Sequence, residues 1–199
     1  MTELLLATRN AGKKREIADS LCSGAVLLSL LSLDEVDAGG EVEESGKTFA
    51  ENSRLKADFY SRLSGLTTLG DDSGLEVLAL GGRPGVRSAR YAGAGASDEM
   101  RIEKLLAEMK DITDRRARFV SAVCISRNGS PLASFIGTVE GEILRQKRGN
   151  GGFGYDPLFL YPPLGKTFAE LSLAEKNKIS HRARALAQAR EFILNAGLG

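Results

Sequence analysis

The hydrophobic residues of this chain follow two patterns, short continuous runs and runs with helical spacing. Residues 4–7 form a run without polar side chains, which indicates a strand buried on both faces. Residues 14–21 carry Ile17, Ala18 and Leu21 at helical spacing, which predicts a helix. The same reasoning predicts strands at 25–33, 67–69, 75–80, 118–126 and 132–139, and helices at 48–64, 97–109 and from 180 onwards. This alternation predicts an α/β fold in which helices flank a sheet.

Asn128-Gly129 separates two of the predicted strands and is a strong hairpin signal, because both residues tolerate positive φ. A hairpin joins antiparallel strands, so the sheet is expected to be mixed. A chain of 199 residues is long enough to bury a substantial core, and we expect a single domain over residues 1–199.

Charge and composition narrow the class of protein. The chain has 27 Lys and Arg against 26 Asp and Glu, which argues against a dedicated nucleic-acid binder, although a local basic pocket stays open. Cys22 and Cys124 lie far apart, as expected for free thiols in a reducing compartment. The longest apolar region, 25–33, is too short for a bilayer, which needs about 20 residues. We therefore expect a cytoplasmic protein with no membrane or nucleic-acid partner.

The first strand is followed by a polar turn and then by a helix. When a turn with glycine joins a strand to a helix, the backbone N–H groups and the helix dipole can point at an anion. This arrangement predicts a phosphate site. An ordinary helix cap by Asn10 is the alternative. The turn consists of Thr8, Arg9, Asn10, Ala11, Gly12 and Lys13.

Two neighbouring acids, Asp71 and Asp72, come at the predicted end of a strand and are followed by Ser73. Adjacent carboxylates suit a hard cation such as Mg²⁺, although Asp, Ser and Gly are also common in strand-end turns. Glu43 and Glu44 come just before the helix at 48–64, where one of them could reach a metal held by Asp72.

The segment 149–154 matches Gly-x-Gly-x-x-Gly, but it does not open a dinucleotide-binding helix, because Pro157 disfavours helix at the preceding residue. This loop carries Phe153, Tyr155 and Asp156, which could instead present a ring for stacking and a carboxylate for hydrogen bonding to a base, or the loop could be purely structural. His181, the single histidine, is a candidate cap or buried hydrogen-bonding residue as well as a candidate catalyst.

Five segments together resemble, in the same order, the motifs of the inosine/xanthosine triphosphate pyrophosphatases. The segments are 8–13, 70–75, 81–85, 151–157 and 176–182, and the resemblance covers nearly the whole chain. One departure is Asn150, where the family is expected to carry a small hydroxyl residue. The resemblance implies an elongated, two-lobed mixed sheet with an active-site cleft, a homodimer, Mg²⁺ as cofactor and a purine nucleoside triphosphate as substrate.

The resemblance also implies roles for individual residues. Asp72 matches the general base and a metal ligand, and Glu43 matches the second Mg²⁺ ligand. Residues 8–13 match the phosphate-binding turn, and Lys56 matches a helix lysine that contacts the phosphates, although its pattern alone indicates a surface lysine. The other substrate-binding positions are Asp71, Ser73, Phe153, Gly154, Tyr155, Asp156, Lys176, His181 and Arg182.

These roles imply hydrolysis of ITP, dITP and XTP to the monophosphate and pyrophosphate, with Asp72 deprotonating the attacking water. A donor from Arg182 or His181 to the 6-oxo group would favour hypoxanthine and xanthine over adenine. Three rival interpretations stay open: a nucleotide sensor without turnover, a nucleic-acid binder with a local basic patch, and a pyrophosphatase for modified pyrimidine nucleotides.

Overall fold

The structure is a computed structural model that describes residues 2–22 and 28–196. Its α-helices are α1 (Ala11–Leu21), α2 (Phe49–Ser64), α3 (Asp98–Glu108), α4 (Leu173–Ile179) and α5 (His181–Asn195). Its strands are β1 (Thr2–Leu6), β2 (Leu28–Ser32), β3 (Thr68–Val77), β4 (Arg116–Arg127), β5 (Ser130–Ile143), β6 (Phe159–Tyr161) and β7 (Lys166–Thr167). Residues 25–27 of the strand predicted at 25–33 lie outside the described residues.

The strands form a seven-stranded sheet in the order β2-β1-β3-β4-β5-β6-β7. Strand β1 runs parallel to β2 and to β3, whereas β6 runs antiparallel to β5 and to β7. Asn128 and Gly129 join β4 to β5 with φ values of 52° and 75°, which confirms the predicted hairpin turn. The mixed α/β sheet predicted from the sequence is therefore confirmed.

Helix starts follow the capping signals in the sequence. Thr48 and Glu51 form a capping box at the start of α2, in which each side chain bonds the backbone of the other residue. Ser97 accepts a hydrogen bond from the Met100 N–H at the start of α3. Helix α4, which the sequence analysis did not predict, also begins with a capping box, formed by Ser172 and Glu175.

Strand β3 runs without interruption through Asp71 and Asp72. The expectation that this acidic pair ends a strand, and the alternative that it forms a turn, are both wrong. Gly70 explains why the strand continues against a helix: a Cβ at this position would lie 2.2 Å from the carbonyl oxygen of Ser53 in α2. The close approach of β3 to α2 brings α2 side chains to Asp72.

The chain divides into two compact units, and the first comprises Met1–Asp72, Ser121–Gly137 and His181–Gly199. Strand β1 is buried on both faces here, as its run of apolar residues predicted. Leu4 and Leu6 pack with residues of α1 and α5, while Leu5 and Ala7 pack with Tyr60 of α2. The sheet in this unit is therefore covered by helices on both faces.

The second unit comprises Ser73–Val120 and Thr138–Ser180. Its core is rich in aromatic residues, and the Phe119 ring stacks on Phe168 with centroids 5.7 Å apart and contacts Phe159 at 4.5 Å. Helix α3 contributes Ile102 and Leu105 to this core. The expectation of a single domain over residues 1–199 stays a prediction.

Candidate active site

The predicted phosphate-binding turn lies between β1 and α1 in the first unit. Asn10 caps α1, because its side-chain oxygen accepts a hydrogen bond from the Lys13 N–H at 2.9 Å. Thr8 supports this turn, since its Oγ1 accepts a hydrogen bond from the Asn10 N–H at 3.2 Å. Ala11 and Gly12 form the first turn of α1, where the helix dipole favours an anion. The helix cap and the anion site are therefore features of the same turn.

Arg9 has a different role from its neighbours in this turn. Its guanidinium donates to the carbonyl oxygen of Ala38 at 3.3 Å and to the Tyr60 hydroxyl at 3.3 Å, and it lies 3.8 Å from Asp34. The Arg9 side chain thus bonds to the acidic segment that follows β2. The predicted contact of Arg9 with a phosphate stays a prediction.

Asp71 is the centre of a buried charged group in the first unit. Its carboxylate lies 2.8 Å from Lys13 Nζ and accepts hydrogen bonds from Ser121 Oγ at 2.8 Å and from Arg182 Nε at 3.2 Å. Burial acts to raise the pKa of Asp71, but the positive charges of Arg182 and Lys13 outweigh it and hold the pKa well below its usual range. Asp71 is therefore an anion that positions two cations.

Arg182, at the start of α5, bonds two carboxylates in this group. Besides Asp71 it donates to Glu16 of α1, and its side chain is almost completely buried. Burial acts to lower the pKa of Arg182, and Asp71 and Glu16 outweigh that effect and raise it. The expected role of Arg182 as a donor to the 6-oxo group stays a prediction. His181 is also buried, as the first residue of α5, and its predicted donor role stays a prediction.

Asp72 has a different environment from its neighbour. Asn52 of α2 donates to its Oδ2 at 3.1 Å, and Lys56, one helical turn further on, lies 3.6 Å from its Oδ1. Burial raises the pKa of Asp72 above its usual range, although Lys56 and Lys13 partly oppose this effect. A carboxylate with a raised pKa is a better proton acceptor near neutral pH, so Asp72 suits the role of general base.

Lys56 is a site residue and not the surface lysine that its pattern alone indicates. Its ammonium lies 2.9 Å from Glu44 Oε1 as well as 3.6 Å from Asp72, and the residue is only 7% exposed. Burial acts to lower the pKa of Lys56, but the carboxylates of Asp72 and Glu44 outweigh that effect and raise it. A buried, positively charged lysine beside two carboxylates can bind a phosphate that approaches them.

The acid beside Asp72 is Glu44, whereas the resemblance implied Glu43 as the second metal ligand. Glu43 is exposed, and Glu44 shares the Lys56 ammonium with Asp72. The geometry therefore favours Glu44, and the assignment of Glu43 as a metal ligand stays a prediction.

The donor set around Lys56 fits Mg²⁺. Two carboxylates converge on one ammonium, and Mg²⁺ is usually held by one or two carboxylates together with substrate phosphates and water. Within residues 2–22 and 28–196 no cluster of three or more His, Cys, Asp or Glu side chains could hold a metal without a substrate. Glu44 and Asp72 are thus the residues that would hold the ion when a polyphosphate is bound.

Another group of predicted residues lies in the second unit. It consists of Phe153 to Asp156, which we call the base loop, and of Lys176. Lys176 bonds the Asp156 carboxylate, and its ammonium lies 4.9 Å from the centroid of the Phe153 ring. Asp156 also accepts a hydrogen bond from the Phe153 N–H at 2.9 Å. Gly152 permits this arrangement, because a Cβ there would lie 2.1 Å from the Asp156 carboxylate. The loop therefore presents a ring, a donor and an acceptor together.

Tyr155 serves this loop as an anchor. Its ring is buried, and its hydroxyl donates to the carbonyl oxygen of Ser88 at 3.0 Å. Gly154 adopts a φ of +62°, which favours glycine. Ser73, the remaining predicted residue, follows Asp72 in β3 and is half-buried.

Sequence analysis missed Glu16, Asn52 and Ser121, which hold Arg182, Asp72 and Asp71 respectively. Asn52 carried a usable signal, because it lies four residues before Lys56 and so shares a face of α2 with it. Glu16 and Ser121 carried none, since their partners are remote in sequence.

Together, the turn that caps α1, the buried lysines and the two carboxylates define an α/β protein with a candidate site for a polyphosphate. The particular family follows from comparison with known sequences: the chain belongs to the Ham1 family, whose model matches residues 4–192.

Relatives and solved structures of high similarity cover nearly the whole chain. The dITP/XTP pyrophosphatase of Syntrophobacter fumaroxidans is 50% identical over 190 residues, which are 95% of this chain and 81% of that protein. The dITP/XTP pyrophosphatase of Geobacter sulfurreducens is 48% identical over 97% of both chains. A HAM1 protein from Coxiella burnetii superposes with a TM-score of 0.89 at 40% identity, covering 98% of this chain and 100% of that one.

Among the described residues no helix is long and apolar enough to cross a membrane.

Proposed function

We propose that this protein hydrolyses the noncanonical purine nucleotides dITP, XTP and ITP to the nucleoside monophosphate and pyrophosphate, and so removes them from the nucleotide pool. The names of the two bacterial relatives support this substrate class. The observation that carries the proposal is the geometry of the neighbouring acids Asp71 and Asp72. Asp71 bonds Lys13 and Arg182, whereas Asp72 accepts a hydrogen bond from Asn52 and shares the Lys56 ammonium with Glu44.

The triphosphate is proposed to bind in the first unit. It carries about four negative charges near neutral pH, and a nearly neutral protein must supply the opposing charge locally. The start of α1, Lys13 and Lys56 provide it, with Thr8 and Asn10 shaping the turn. Lys13 is already held by Asp71, so its ammonium is positioned before the substrate arrives.

Asp72 is proposed to take a proton from the attacking water. The water oxygen forms a bond to the α-phosphorus, the bond from that phosphorus to the α,β-bridging oxygen breaks, and pyrophosphate leaves. The proton on Asp72 then returns to solvent. Asn52 keeps the carboxylate oriented through Oδ2, and Lys56 offsets the negative charge that develops on the phosphates. Positioning and charge stabilisation account for most of the rate gain in such reactions.

Mg²⁺ is the proposed cofactor, held by Glu44 and Asp72. When bound there it would shield the phosphate charges and stabilise the pyrophosphate leaving group. Support comes from the convergence of the two carboxylates on Lys56, since oxygen ligands next to a phosphate site suit this ion.

Base recognition is assigned to the base loop and Lys176. Hypoxanthine and xanthine present a 6-oxo acceptor beside an N1–H donor, which complement the Lys176 ammonium and the Asp156 carboxylate. Adenine presents the reverse, a 6-amino donor and an N1 acceptor. The Phe153 ring beside these groups provides a face for stacking. A mismatched buried donor reduces binding by about tenfold or more.

A homodimer in the cytoplasm is the proposed state of the protein. The dimer rests on the family resemblance, and light scattering after size-exclusion chromatography measures it directly. The location is supported by Cys22 and Cys124, which are both free thiols, as expected in a reducing compartment.

The test of this function is pyrophosphate release from ITP, XTP, dITP, ATP and dUTP, each with Mg²⁺ or with EDTA. We expect Mg²⁺-dependent release from the first three and at least tenfold less from ATP. Binding of ITP without release would instead indicate a nucleotide sensor, and preferential release from dUTP would indicate a pyrimidine nucleotide pyrophosphatase. Either result would overturn the proposal.

A further inference from the structure

Asp98 in the first turn of α3 lies outside the residues proposed to touch the nucleotide, yet it bonds the base loop directly. We infer that Asp98 is a positioning residue that sets the preference of the enzyme for its base. The inference rests on the proposed function, since it assigns a role within base recognition. Its effect is expected in the binding of the base and not in the hydrolysis of the triphosphate.

The contact between Asp98 and the loop is short and specific. Asp98 Oδ2 accepts a hydrogen bond from the Gly154 N–H at 2.7 Å, across 56 positions of sequence. The preceding N–H, that of Phe153, donates to Asp156 at 2.9 Å. The backbone N–H groups of Phe153 and Gly154 thus both donate to carboxylates. The backbone that carries the Phe153 ring is therefore held by Asp156 on one side and by Asp98 on the other.

Asp98 is itself held in place. Arg101, three residues later in α3, bonds the other oxygen of its carboxylate and also donates to the carbonyl oxygen of Ala89. As the first residue of α3, Asp98 also carries its charge at the positive end of the helix dipole. A carboxylate held in this way can fix the loop because it has little freedom of its own.

The loop has a second anchor in Tyr155. Tyr155 donates to the Ser88 carbonyl oxygen, and the Ser88 hydroxyl donates to the Gly85 carbonyl oxygen at 2.7 Å and accepts from the Leu75 N–H at 2.9 Å. This anchor does not involve Asp98. Loss of Asp98 should therefore free the Gly154 peptide without unfolding the loop, so a change of base preference is expected in place of inactivation.

The variants that test this role are Asp98→Ala, Asp98→Asn and Glu99→Ala. Asp98→Ala removes both contacts of the carboxylate. Asp98→Asn keeps an oxygen that can accept from the Gly154 N–H but loses the charge that Arg101 binds. Glu99→Ala is the matched control, because Glu99 is the neighbouring acid in the same helical turn and bonds Lys147. Thermal denaturation of each variant confirms that it is folded.

Steady-state kinetics should be measured with ITP, ATP and ribose 5-triphosphate, which lacks a base. For Asp98→Ala we expect the KM for ITP to rise about tenfold, the preference for ITP over ATP to fall about tenfold, and kcat to change less than about twofold. Ribose 5-triphosphate should be hydrolysed as by the wild type. Asp98→Asn should recover part of the preference, and Glu99→Ala should match the wild type.

Two results would overturn the inference while leaving the proposed function intact. In one, Asp98→Ala keeps the wild-type preference for ITP over ATP. In the other, it loses activity equally with all three compounds, which indicates a structural role. If instead the wild type releases no pyrophosphate from ITP, the proposed function itself fails.

Discussion

The charged group around Asp71 and Asp72 and the base loop solve two different recognition problems. In the first unit, the two neighbouring carboxylates lie close to cations. Asp71 contacts Lys13 and Arg182, and Asp72 lies near Lys56. In the base loop a single buried ion pair, Asp156 with Lys176, lies beside aromatic rings, and hydrogen bonds to the backbone fix the chain.

The two regions differ in the interactions that they offer to a ligand. A triphosphate is a concentrated charge, and paired ions positioned in advance can bind it and stabilise its reaction. A nucleobase is flat and neutral, and a fixed ring with one donor and one acceptor can distinguish it. Substitutions in the first group should therefore affect every nucleotide equally, and substitutions at the base loop should affect nucleotides according to their base.

The largest effect is expected for Asp72→Asn, which removes the proposed general base but keeps the size of the side chain. We expect kcat to fall at least about a hundredfold for ITP and for ribose 5-triphosphate alike, with the fold intact. Asp58→Asn is the matched control, because Asp58 lies in the same unit and bonds Arg54 and Ser126 instead of site residues. Near-normal turnover by Asp72→Asn would contradict the mechanism.

Asp71→Asn should act mainly on stability. It leaves the buried Arg182 and Lys13 with one compensating charge fewer, and breaking a buried ion pair in this way lowers the free energy of unfolding by about 3 kcal/mol. Chemical denaturation measures the change. Asp72→Asn is the comparison, since the Asp72 carboxylate contacts Asn52 and Lys56. Equal stability of the two variants would show that Asp71 does not organise this group.

The two neighbouring acids Glu43 and Glu44 offer a direct test of the metal site. For Glu44→Gln we expect the Mg²⁺ concentration for half-maximal activity to rise about tenfold or more. Glu43→Gln should behave as the wild type, because the Glu43 side chain is exposed. Magnesium titrations at fixed ITP measure both. The reverse result would restore the assignment implied by the family resemblance.

Lys176→Met should give the smallest effect, and one that depends on the base. The variant keeps the length of the side chain beside Phe153 but loses the proposed donor to the 6-oxo group. It also leaves the buried Asp156 with one compensating charge fewer, so the variant is less stable and is compared at a temperature where thermal denaturation shows it to be folded. We expect the ratio of kcat/KM for ITP to that for ATP to fall about tenfold, with ribose 5-triphosphate unaffected. An unchanged ratio would mean that the base is recognised elsewhere.

Local features of the fold were predictable because local chemistry determines them. The run at 4–7 gave β1, Thr48 and Glu51 gave the start of α2, and Asn128-Gly129 gave the hairpin. The course of β3 was not predictable, because two acids inside a buried strand are stable only with partners that come from other elements.

The same limit applies to the candidate site. The sequence and the family resemblance together pointed to Lys13, Lys56, Asp71 and Asp72, which the structure brings together in pairs. The choice between Glu43 and Glu44 depends on the direction of a side chain, which neighbouring identical residues do not reveal. The contact of Arg182 with Glu16 joins residues 166 positions apart, and no local pattern encodes it.

The central claim, that water activated by Asp72 attacks the α-phosphorus, is tested most directly by hydrolysis of ITP in water labelled with ¹⁸O. Mass spectrometry of the products locates the label. The mechanism predicts one labelled oxygen in inosine monophosphate and none in pyrophosphate. Label in the pyrophosphate would place the attack on the β-phosphorus and would contradict the account.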